Sequence, residues 1–166
     1  MHLDVAEVPS PVGVWSLAAS PRGLCLLHGG ADWDAFGVEL QRRFGPVSLA
    51  DANDPFEAVS RLDAYFGGEL GAIDRLPVDL GGTEFQQAVW TALRRIPPGR
   101  TSCYSDLAAA VGRPTATRAV GAANGANPVA VVVPCHRVIG KDGSLTGYGG
   151  GLERKAWLLR HEGVIY

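Results

Sequence analysis

A cysteine and a histidine are adjacent in the tetrapeptide Pro134-Cys135-His136-Arg137. The thiolate is the reactive form of cysteine, and a nearby imidazole can take up the thiol proton. Neighbouring side chains of an extended chain point to opposite faces, so this pair needs a turn or a bridging water to communicate. From these two residues alone, two interpretations stay open: a nucleophile with its base, and a small buried cysteine beside an ordinary histidine.

A short apolar run precedes these residues. Residues 129–133 read Val-Ala-Val-Val-Val, and most of them are β-branched. Such a run is typical of a buried strand. We therefore expect an interior strand that ends at Pro134 and fixes the position of Cys135.

Helical patterns lie upstream of this strand. Thr83 and Gln86 have the spacing of a capping box, and one apolar face follows them, formed by Phe85, Val89, Trp90, Leu93 and Ile96. Residues 105–112 and 115–123 predict two short helices, with a break at Arg113-Pro114 between them. Their lengths and their connection are typical of a helix-turn-helix.

The first third of the chain predicts a mixture of strands and helices. Residues 11–19 and 24–28 have a hairpin pattern, and residues 34–44 and 55–66 have helical patterns. Gly67-Gly68 and Gly81-Gly82 bracket a segment without strong periodicity, which we interpret as a linker. The predicted fold class is α+β, with an αβ domain at 1–78 and a mostly helical domain at 79–166.

Composition narrows the class of protein. Hydrophobic residues make up 46% and charged residues 19%, which argues against disorder and favours a soluble globular chain. Three cysteines without a C-x-x-C pair fit a reducing compartment. No membrane span is expected, and the first ten residues lack a secretory pattern, so we expect a cytoplasmic protein.

Charge is distributed unevenly along the chain. Residues 1–82 hold 5 arginines and 12 acidic residues, a net charge of -7, whereas residues 83–166 hold 10 basic and 5 acidic residues, a net charge of +5. A basic half is a hint of nucleic-acid contact, although basic residues spread over a solvated surface give the same count.

Several motifs occur in a fixed order after residue 83. They are Arg-Ala-Val-Gly at 118–121, Asn-Pro at 127–128, Pro-Cys-His-Arg-Val at 134–138, Gly-Tyr-Gly-Gly-Gly at 147–151 and Trp-Leu-Leu-Arg-His-Glu-Gly at 157–163. Together they resemble the O6-alkylguanine-DNA alkyltransferases. The resemblance runs from about 83 to 163; before that it is limited to length and a Ser-Pro-Val-Gly sequence at 10–13.

The resemblance implies an activity and a fold. It implies a ribonuclease H-like N-terminal lobe and a winged-helix-like C-terminal domain. The implied function is DNA repair, in which an alkyl group moves irreversibly from O6 of guanine, and also from O4 of thymine, to Cys135 with base flipping. It also implies a monomer on the minor groove of double-stranded DNA, with cooperative binding left open.

Catalytic roles follow from the same resemblance. Cys135 is the nucleophile, His136 its base through a water, and Glu162 the carboxylate that orients His136. Tyr104 donates a proton to the flipped base, and Asn127 ties the turn between the second helix of the helix-turn-helix and the active-site strand. A carboxylate-bound imidazole stabilises its charged form, so we expect a thiolate that persists near neutral pH.

Further residues are implied to contact DNA or the base. Arg118 fills the gap left by the flipped nucleotide, and the full DNA-binding set is Tyr104, Thr115, Arg118, Ala119, Gly121 and Gly125. The substrate pocket comprises Asn124, Val138, Tyr148 and Gly149; the Gly149 amide and the carbonyls of Cys135 and Val138 bind the base edges. Relatives commonly carry serine at position 149. Candidate phosphate ligands are Arg100, Arg113, Arg137 and Lys141.

No cofactor or metal is expected. The thioether product is not hydrolysed under mild conditions, so the implied reaction happens once per molecule. Cys25, His2 and His28 do not have the spacing of a zinc-ligand set.

Three other functions remain as alternatives. A Cys-His hydrolase would need an oxyanion hole and would turn over repeatedly. A DNA-binding module without catalysis is disfavoured by the cysteine at position 135. A transcription regulator would need sequence-specific DNA affinity and usually a dimer interface.

Overall fold

The computed structural model describes residues 1–149 and 151–164, and the chain forms two compact units, one at 1–81 and one that begins at Gly82. The first unit contains a four-stranded sheet in the order β3-β2-β1-β4, whose strands are β1 (His2–Ser10), β2 (Gly13–Ser20), β3 (Gly23–Gly29) and β4 (Ser48–Asp51). The β2–β3 hairpin confirms the sequence prediction. The first and last strands were not predicted; β1 pairs antiparallel to β2 and parallel to β4.

Two helices accompany this sheet, as predicted. They are α1 (Trp33–Phe44), capped by the side chain of Asp32, and α2 (Ala58–Phe66), which follows a 3₁₀ turn at Pro55–Glu57. Leu40 of α1 joins a buried cluster with sheet residues Leu3, Val5, Ala18, Cys25 and Leu26. This burial of apolar surface is what holds α1 on the sheet.

The segment predicted as a linker is packed onto the first unit for most of its length. It contains a 3₁₀ turn at Leu70–Ile73, and Ile73 and Leu76 are buried. Leu24 of β3 bonds to this segment on both sides: its N–H donates to the Pro77 carbonyl at 2.9 Å, and its carbonyl accepts from Asp79 at 2.7 Å. The linker prediction was wrong because residues 77–79 pair with β3 although they have no alternating apolar pattern, and without such a pattern the pairing cannot be recognised in the sequence.

The second unit is mainly helical. Its helices are α3 (Glu84–Arg94), α4 (Tyr104–Ala110), α5 (Thr117–Gly125) and α6 (Leu152–His161). A parallel pair of two-residue strands, β5 (Ser102–Cys103) and β6 (Val138–Ile139), joins the start of α4 to the segment after Cys135. The capping box of Thr83 and Gln86 is present at the start of α3, and α4 and α5 confirm the two helices of the predicted helix-turn-helix.

Residues 129–133 are buried, yet they do not form the predicted interior strand. The backbone turns here: Val132 donates to the Ala130 carbonyl at 2.8 Å, Val133 donates to the Val129 carbonyl at 3.0 Å, and Val131 has a φ of 70°. An apolar β-branched run reports burial, and a buried turn satisfies the same pattern when its polar groups find partners.

Membrane insertion has no support in the helices of residues 1–149 and 151–164. None of them combines the length and the apolar character that crossing a bilayer requires.

The packed 77–79 segment makes a stability prediction at Gly23. A Cβ at Gly23 would lie 2.6 Å from the Pro77 backbone, whereas a Cβ at Gly30 would meet nothing within 4 Å, and both glycines have positive φ. We expect Gly23→Ala to lower the free energy of unfolding by about 2 kcal/mol more than Gly30→Ala, because only the first must push apart two bonded backbones. Urea denaturation of both variants measures the difference; equal losses would mean that the contact with Pro77 does not constrain the fold.

Candidate active site

Cys135 begins a single 3₁₀ turn, Cys135–Arg137, and its side chain is buried. Asn127 holds the chain that leads into this turn: its Nδ2 donates to the Val133 carbonyl at 2.8 Å, and its Oδ1 accepts from the Val129 N–H at 3.0 Å. The tie predicted for Asn127 is therefore present, although it secures a buried turn and not a strand. The 3₁₀ turn also supplies the bend that the Cys-His pair was expected to need.

His136 and Glu162 meet as the resemblance implied. His136 is fully buried, and its Nε2 lies 3.0 Å from Oε2 of Glu162. A carboxylate with a strongly lowered pKa is an acceptor, so Nε2 carries the hydrogen and Nδ1 keeps a free lone pair. Nδ1 is buried and has no hydrogen-bond partner among the described residues. The imidazole therefore presents one unused basic nitrogen.

Arg137 binds the same carboxylate from the other side. Its Nε lies 2.9 Å from Oε1 and its Nη2 lies 2.8 Å from Oε2 of Glu162, and its Nη1 donates to the Ile96 carbonyl at 2.5 Å. Arg137 is buried, with only 4% of its surface exposed. The sequence prediction that Arg137 could bind a DNA phosphate is therefore wrong, because its donors are committed inside the protein. A count of basic residues does not distinguish a buried arginine from an exposed one, so nothing in the sequence indicated that Arg137 is buried.

The pKa directions define the resting protonation state. Burial lowers the pKa of His136 despite the opposing pull of Glu162, so the imidazole is neutral. Burial works to raise the pKa of Glu162, but hydrogen bonds from Arg137 and His136 hold it well below its usual range. The carboxylate is thus charged and already paired.

The pKa of the Cys135 thiol is raised, whereas a persistent thiolate would require it to be lowered. Burial raises the pKa of Cys135, and this outweighs the Asn127 hydrogen bond and the Lys155 charge, which both lower it. The expectation of a thiolate that persists near neutral pH is therefore contradicted for the protein without DNA. Its physical reason is burial, which penalises the thiolate directly and also lowers the pKa of His136, so that His136 is not the cation that would stabilise the sulfur.

Lys155 is a buried cation that the sequence analysis missed. Its Nζ donates to the carbonyls of Val138 at 2.5 Å and Thr146 at 2.6 Å, and no part of the residue is exposed. A signal was available, because Lys155, Leu158, Leu159 and Glu162 are spaced by three or four positions and so share one face of α6. A lysine in phase with two core leucines predicts burial.

The predicted substrate-pocket residues differ in exposure. Asn124 on α5 is buried and its Nδ2 lies 3.4 Å from the Cys135 carbonyl, while its Oδ1 has no partner in the described chain. The Tyr148 hydroxyl is likewise buried and unpartnered, and burial raises its pKa well above the ordinary value. Gly149 is exposed, and a Cβ there would meet nothing within 4 Å.

The two carbonyls predicted to bind the base already have internal partners. The Cys135 carbonyl accepts from Asn124, and the Val138 carbonyl accepts from Lys155. The Cys135 carbonyl also accepts from the Val138 N–H, so both of its lone pairs are already used, and a base could bind there only in place of the long Asn124 contact.

The predicted DNA-binding residues lie on the outside of the helix-turn-helix. Tyr104 begins α4, and its ring lies 3.8 Å from the place a Cβ of Gly121 would occupy, an ordinary contact distance, so the ring lies close to α5 at this residue. Four of the predicted DNA-binding residues are exposed on α5 or just before it: Thr115, Arg118, Ala119 and Gly125. The structure thus separates an outer face, which carries Arg118, from the buried cluster around Cys135, and Asn124 on the inner face of α5 connects them.

A surface cavity of about 220 Å³ adjoins Tyr104. It is lined by Cys103, Tyr104, Ser105, Thr117 and Lys141. One cation and several hydroxyls are groups that bind phosphate oxygens. No group of three or more histidine, cysteine, aspartate or glutamate side chains in the described ranges is arranged to hold a metal ion.

Comparison with known proteins identifies the family. The chain is 59% identical over 163 residues to the methylated-DNA–protein-cysteine methyltransferase of Mycolicibacterium paratuberculosis, covering 96% of this chain and 92% of that protein. It is 59% identical over 128 residues to the Salmonella typhimurium protein of the same name, covering 77% and 75%. The chain belongs to the methylated-DNA–protein-cysteine methyltransferase family.

Structures and a family model agree with this membership. The Mycobacterium tuberculosis OGT structure in complex with DNA matches with a TM-score of 0.77 and 42% identity, covering 98% of this chain and 92% of that one. The 6-O-methylguanine DNA methyltransferase DNA-binding domain matches residues 84–164. Within this methyltransferase domain lie the buried cluster around Cys135 and the exposed face of α5.

The shared carboxylate makes a prediction at Glu162. Glu162→Gln should lower the free energy of unfolding at pH 7 by about 3 kcal/mol, because it leaves Arg137 buried without its counter-charge. The folded-state pKa is depressed, so the stabilisation is complete above the unfolded pKa of about 4.3 and is lost as pH falls below it. The gap between wild type and variant should therefore narrow below about pH 4 in urea titrations.

Glu153→Gln is the matched control, because Glu153 is exposed in the first turn of the same helix. Its free energy of unfolding should stay within about 0.5 kcal/mol of wild type. Equal losses from the two variants would contradict the assignment of Glu162 as a paired buried charge.

Proposed function

We propose that this methyltransferase repairs double-stranded DNA by moving an alkyl group from O6 of a flipped guanine to its own Cys135, once per molecule. The observation that carries the proposal is the buried thiol next in sequence to a neutral imidazole, which has a free Nδ1 and a carboxylate on its Nε2. That arrangement is what a general base needs in order to accept a thiol proton.

The reaction balances without a cofactor. The thiol proton moves to Nδ1 of His136 through a bridging water, and the sulfur then attacks the alkyl carbon. A sulfur–carbon bond forms as the carbon–O6 bond breaks, and the electron pair goes to the purine. Tyr104 donates a proton to the purine, and the proton held by His136 restores the phenol, so the products are a thioether and an unmodified guanine.

Base flipping is assigned to α5. A guanine O6 inside the stack is out of reach of a buried sulfur, so the nucleotide has to leave the helix at a cost of a few kcal/mol. Arg118 is exposed on α5 and fills the vacated space, while the small residues Ala119, Gly121 and Gly125 let the helix approach the minor groove closely. Asn124, Val138, Tyr148 and Gly149 receive the base.

Binding to the DNA backbone is assigned to the cavity at Lys141. Its ammonium group and the hydroxyls of Ser105 and Thr117 form one patch beside Tyr104. Phosphate contacts of this kind position a protein without reading sequence, as a repair protein requires. Thr115, exposed just before α5, extends the same face.

The remaining parts of the proposal concern context. We infer a monomer that works in the cytoplasm and also accepts alkyl groups from O4 of thymine. The assigned division is a ribonuclease H-like domain at 1–78 and a winged-helix-like DNA-binding and alkyltransferase domain at 79–166. The charge of +5 on residues 83–166 supports DNA contact by the second of these domains.

Protein mass gives the direct test of transfer. Incubation with duplex DNA that carries O6-methylguanine should add one methyl group to the peptide that contains Cys135, in a one-to-one ratio with protein. Cys135→Ser should show no gain and should keep most of its DNA affinity. Repeated turnover of an ester substrate, or methyl label on Cys25 or Cys103 instead, would favour a hydrolase or an incidental modification and would refute the proposal.

The role of Arg118 is tested by comparing two substrates. Arg118→Ala should slow repair of O6-methylguanine in duplex DNA roughly a hundredfold, an effect of about 3 kcal/mol, and should leave the reaction with the free base almost unchanged. Arg160→Ala, which removes an exposed arginine of α6, is the control and should slow neither reaction. Single-turnover rates measure both; equal slowing on the two substrates would remove Arg118 from base flipping.

A further inference from the structure

The charges buried in the methyltransferase unit do not balance in its resting state. Glu162 is matched by Arg137, which binds both of its oxygens. His136 is neutral, and the Tyr148 hydroxyl stays protonated because burial raises its pKa. Lys155 is fully buried, yet its hydrogen bonds go to two neutral carbonyls, and within residues 1–149 and 151–164 no carboxylate pairs with it. A buried ammonium without a counter-ion is costly.

A hydrogen bond ties Lys155 to the residue that follows the turn of Cys135. Val138, whose carbonyl accepts from Nζ, caps the 3₁₀ turn by donating its own N–H to the Cys135 carbonyl. Thr146, the second acceptor, lies two residues before Tyr148. The ammonium group therefore joins the turn that holds the sulfur to the segment that carries two pocket residues. Its charge also acts on Cys135, and the charge of Cys135 acts on Lys155.

We propose that Lys155 is the buried counter-ion of the Cys135 thiolate, a positioning residue that stabilises the negative sulfur when the thiol gives up its proton. The inference rests on the proposed function for the identity of the nucleophile. Within the described residues, His136 and Tyr148 are neutral before this step and the charges of Arg137 and Glu162 cancel each other, so Lys155 is the buried cation whose charge acts on the sulfur.

This assignment divides the work between two groups. His136 takes the proton, and the positive charge that it gains lies against Glu162, whereas Lys155 supplies a positive charge that has no carboxylate of its own among the described residues. Transfer of the alkyl group makes the sulfur a neutral thioether, so the lysine is then once more without a counter-ion. The free energy gained by the ion pair is therefore available only to the reactive state, which is how an electrostatic group accelerates a step.

The first test measures thiol reactivity without DNA. Rates of carboxamidomethylation by iodoacetamide are followed on the Cys135 peptide by mass spectrometry from pH 5 to 10. Lys155→Gln keeps N–H donors for carbonyls but removes the charge; it should move the midpoint of the pH–rate profile upward and lower the rate at pH 7 roughly tenfold or more. Lys155→Arg restores the charge and should recover most of the rate.

Arg160→Gln is the matched control, because it removes one exposed positive charge from the same helix. Its profile should coincide with that of wild type. A Lys155→Gln profile that also coincides with wild type would overturn the proposal, since a merely structural role for the hydrogen bonds would not depend on charge.

The second test leaves Lys155 unchanged and so does not depend on whether its variants fold. The chain has two lysines, Lys141 and Lys155, so lysine labelled with ¹⁵N at Nζ gives two signals. The pKa of Lys155 is lowered by burial to about 8, and a thiolate opposes that shift. In Cys135→Ser the Lys155 signal should therefore titrate at lower pH than in wild type, while the Lys141 signal should not differ.

Identical Lys155 titrations in the two proteins would overturn the proposal. Neither test involves DNA, so failure here leaves the mass gain on methylated duplex to decide the proposed function separately. Conversely, a coupled Lys155 and Cys135 in a protein that gains no methyl group would leave the ion pair standing and refute the repair activity.

Discussion

The buried carboxylate of Glu162 is the interaction on which the methyltransferase unit depends. It accepts from both Arg137 and His136, so one negative charge at the end of α6 fixes two consecutive residues of the 3₁₀ turn. Arg137 extends the link to the Ile96 carbonyl, just beyond α3. Moving the partners of a charge that is buried in a low-dielectric interior is energetically costly. The turn that begins at Cys135 is therefore held rigidly by its two residues that bind Glu162.

Burial, and not this pairing, explains why the thiol is protonated at rest. Glu162 favours imidazolium, but burial lowers the pKa of His136 by more than Glu162 raises it, and the charge of Arg137 lowers it further. His136 is left as a neutral base, and the sulfur stays a thiol because burial penalises its anion. The structure brings together His136 and Glu162, the pair that the resemblance implied, whereas Arg137, which binds the same carboxylate, was expected to face DNA. The protonation state is therefore a property of the assembled cluster.

Elements with a periodic pattern were predictable from the sequence, and elements defined by long-range partners were not. The capping box and apolar face of α3 are local features, and so are the turn residues between β2 and β3. The 77–79 segment has no period of its own and is ordered by bonds to Leu24. The apolar pattern of residues 129–133 correctly predicted that they are buried. Their turn, however, depends on Asn127, whose two side-chain hydrogen bonds replace the backbone hydrogen bonds of a sheet. Lys155 has the helical spacing of the buried residues Leu158 and Leu159, but a charged residue is not normally expected at a buried position, so it was overlooked.

The separation between a rigid interior and an exposed face suits the proposed single reaction. On that proposal the DNA is bound by long exposed side chains, such as those of Arg118 and Lys141, which do not need a precisely fixed position. Their contacts to phosphates and to the groove do not depend on base sequence. On the same proposal the sulfur reacts only once, and an anion held permanently in water would meet other electrophiles first. A thiol that is buried and neutral, and gains its counter-charge only from groups already fixed around it, forms little thiolate at neutral pH and so reacts slowly with stray electrophiles. Burial of Cys135 then serves selectivity as much as rate, since the same desolvation that raises its pKa excludes the solvent in which stray alkylation would occur.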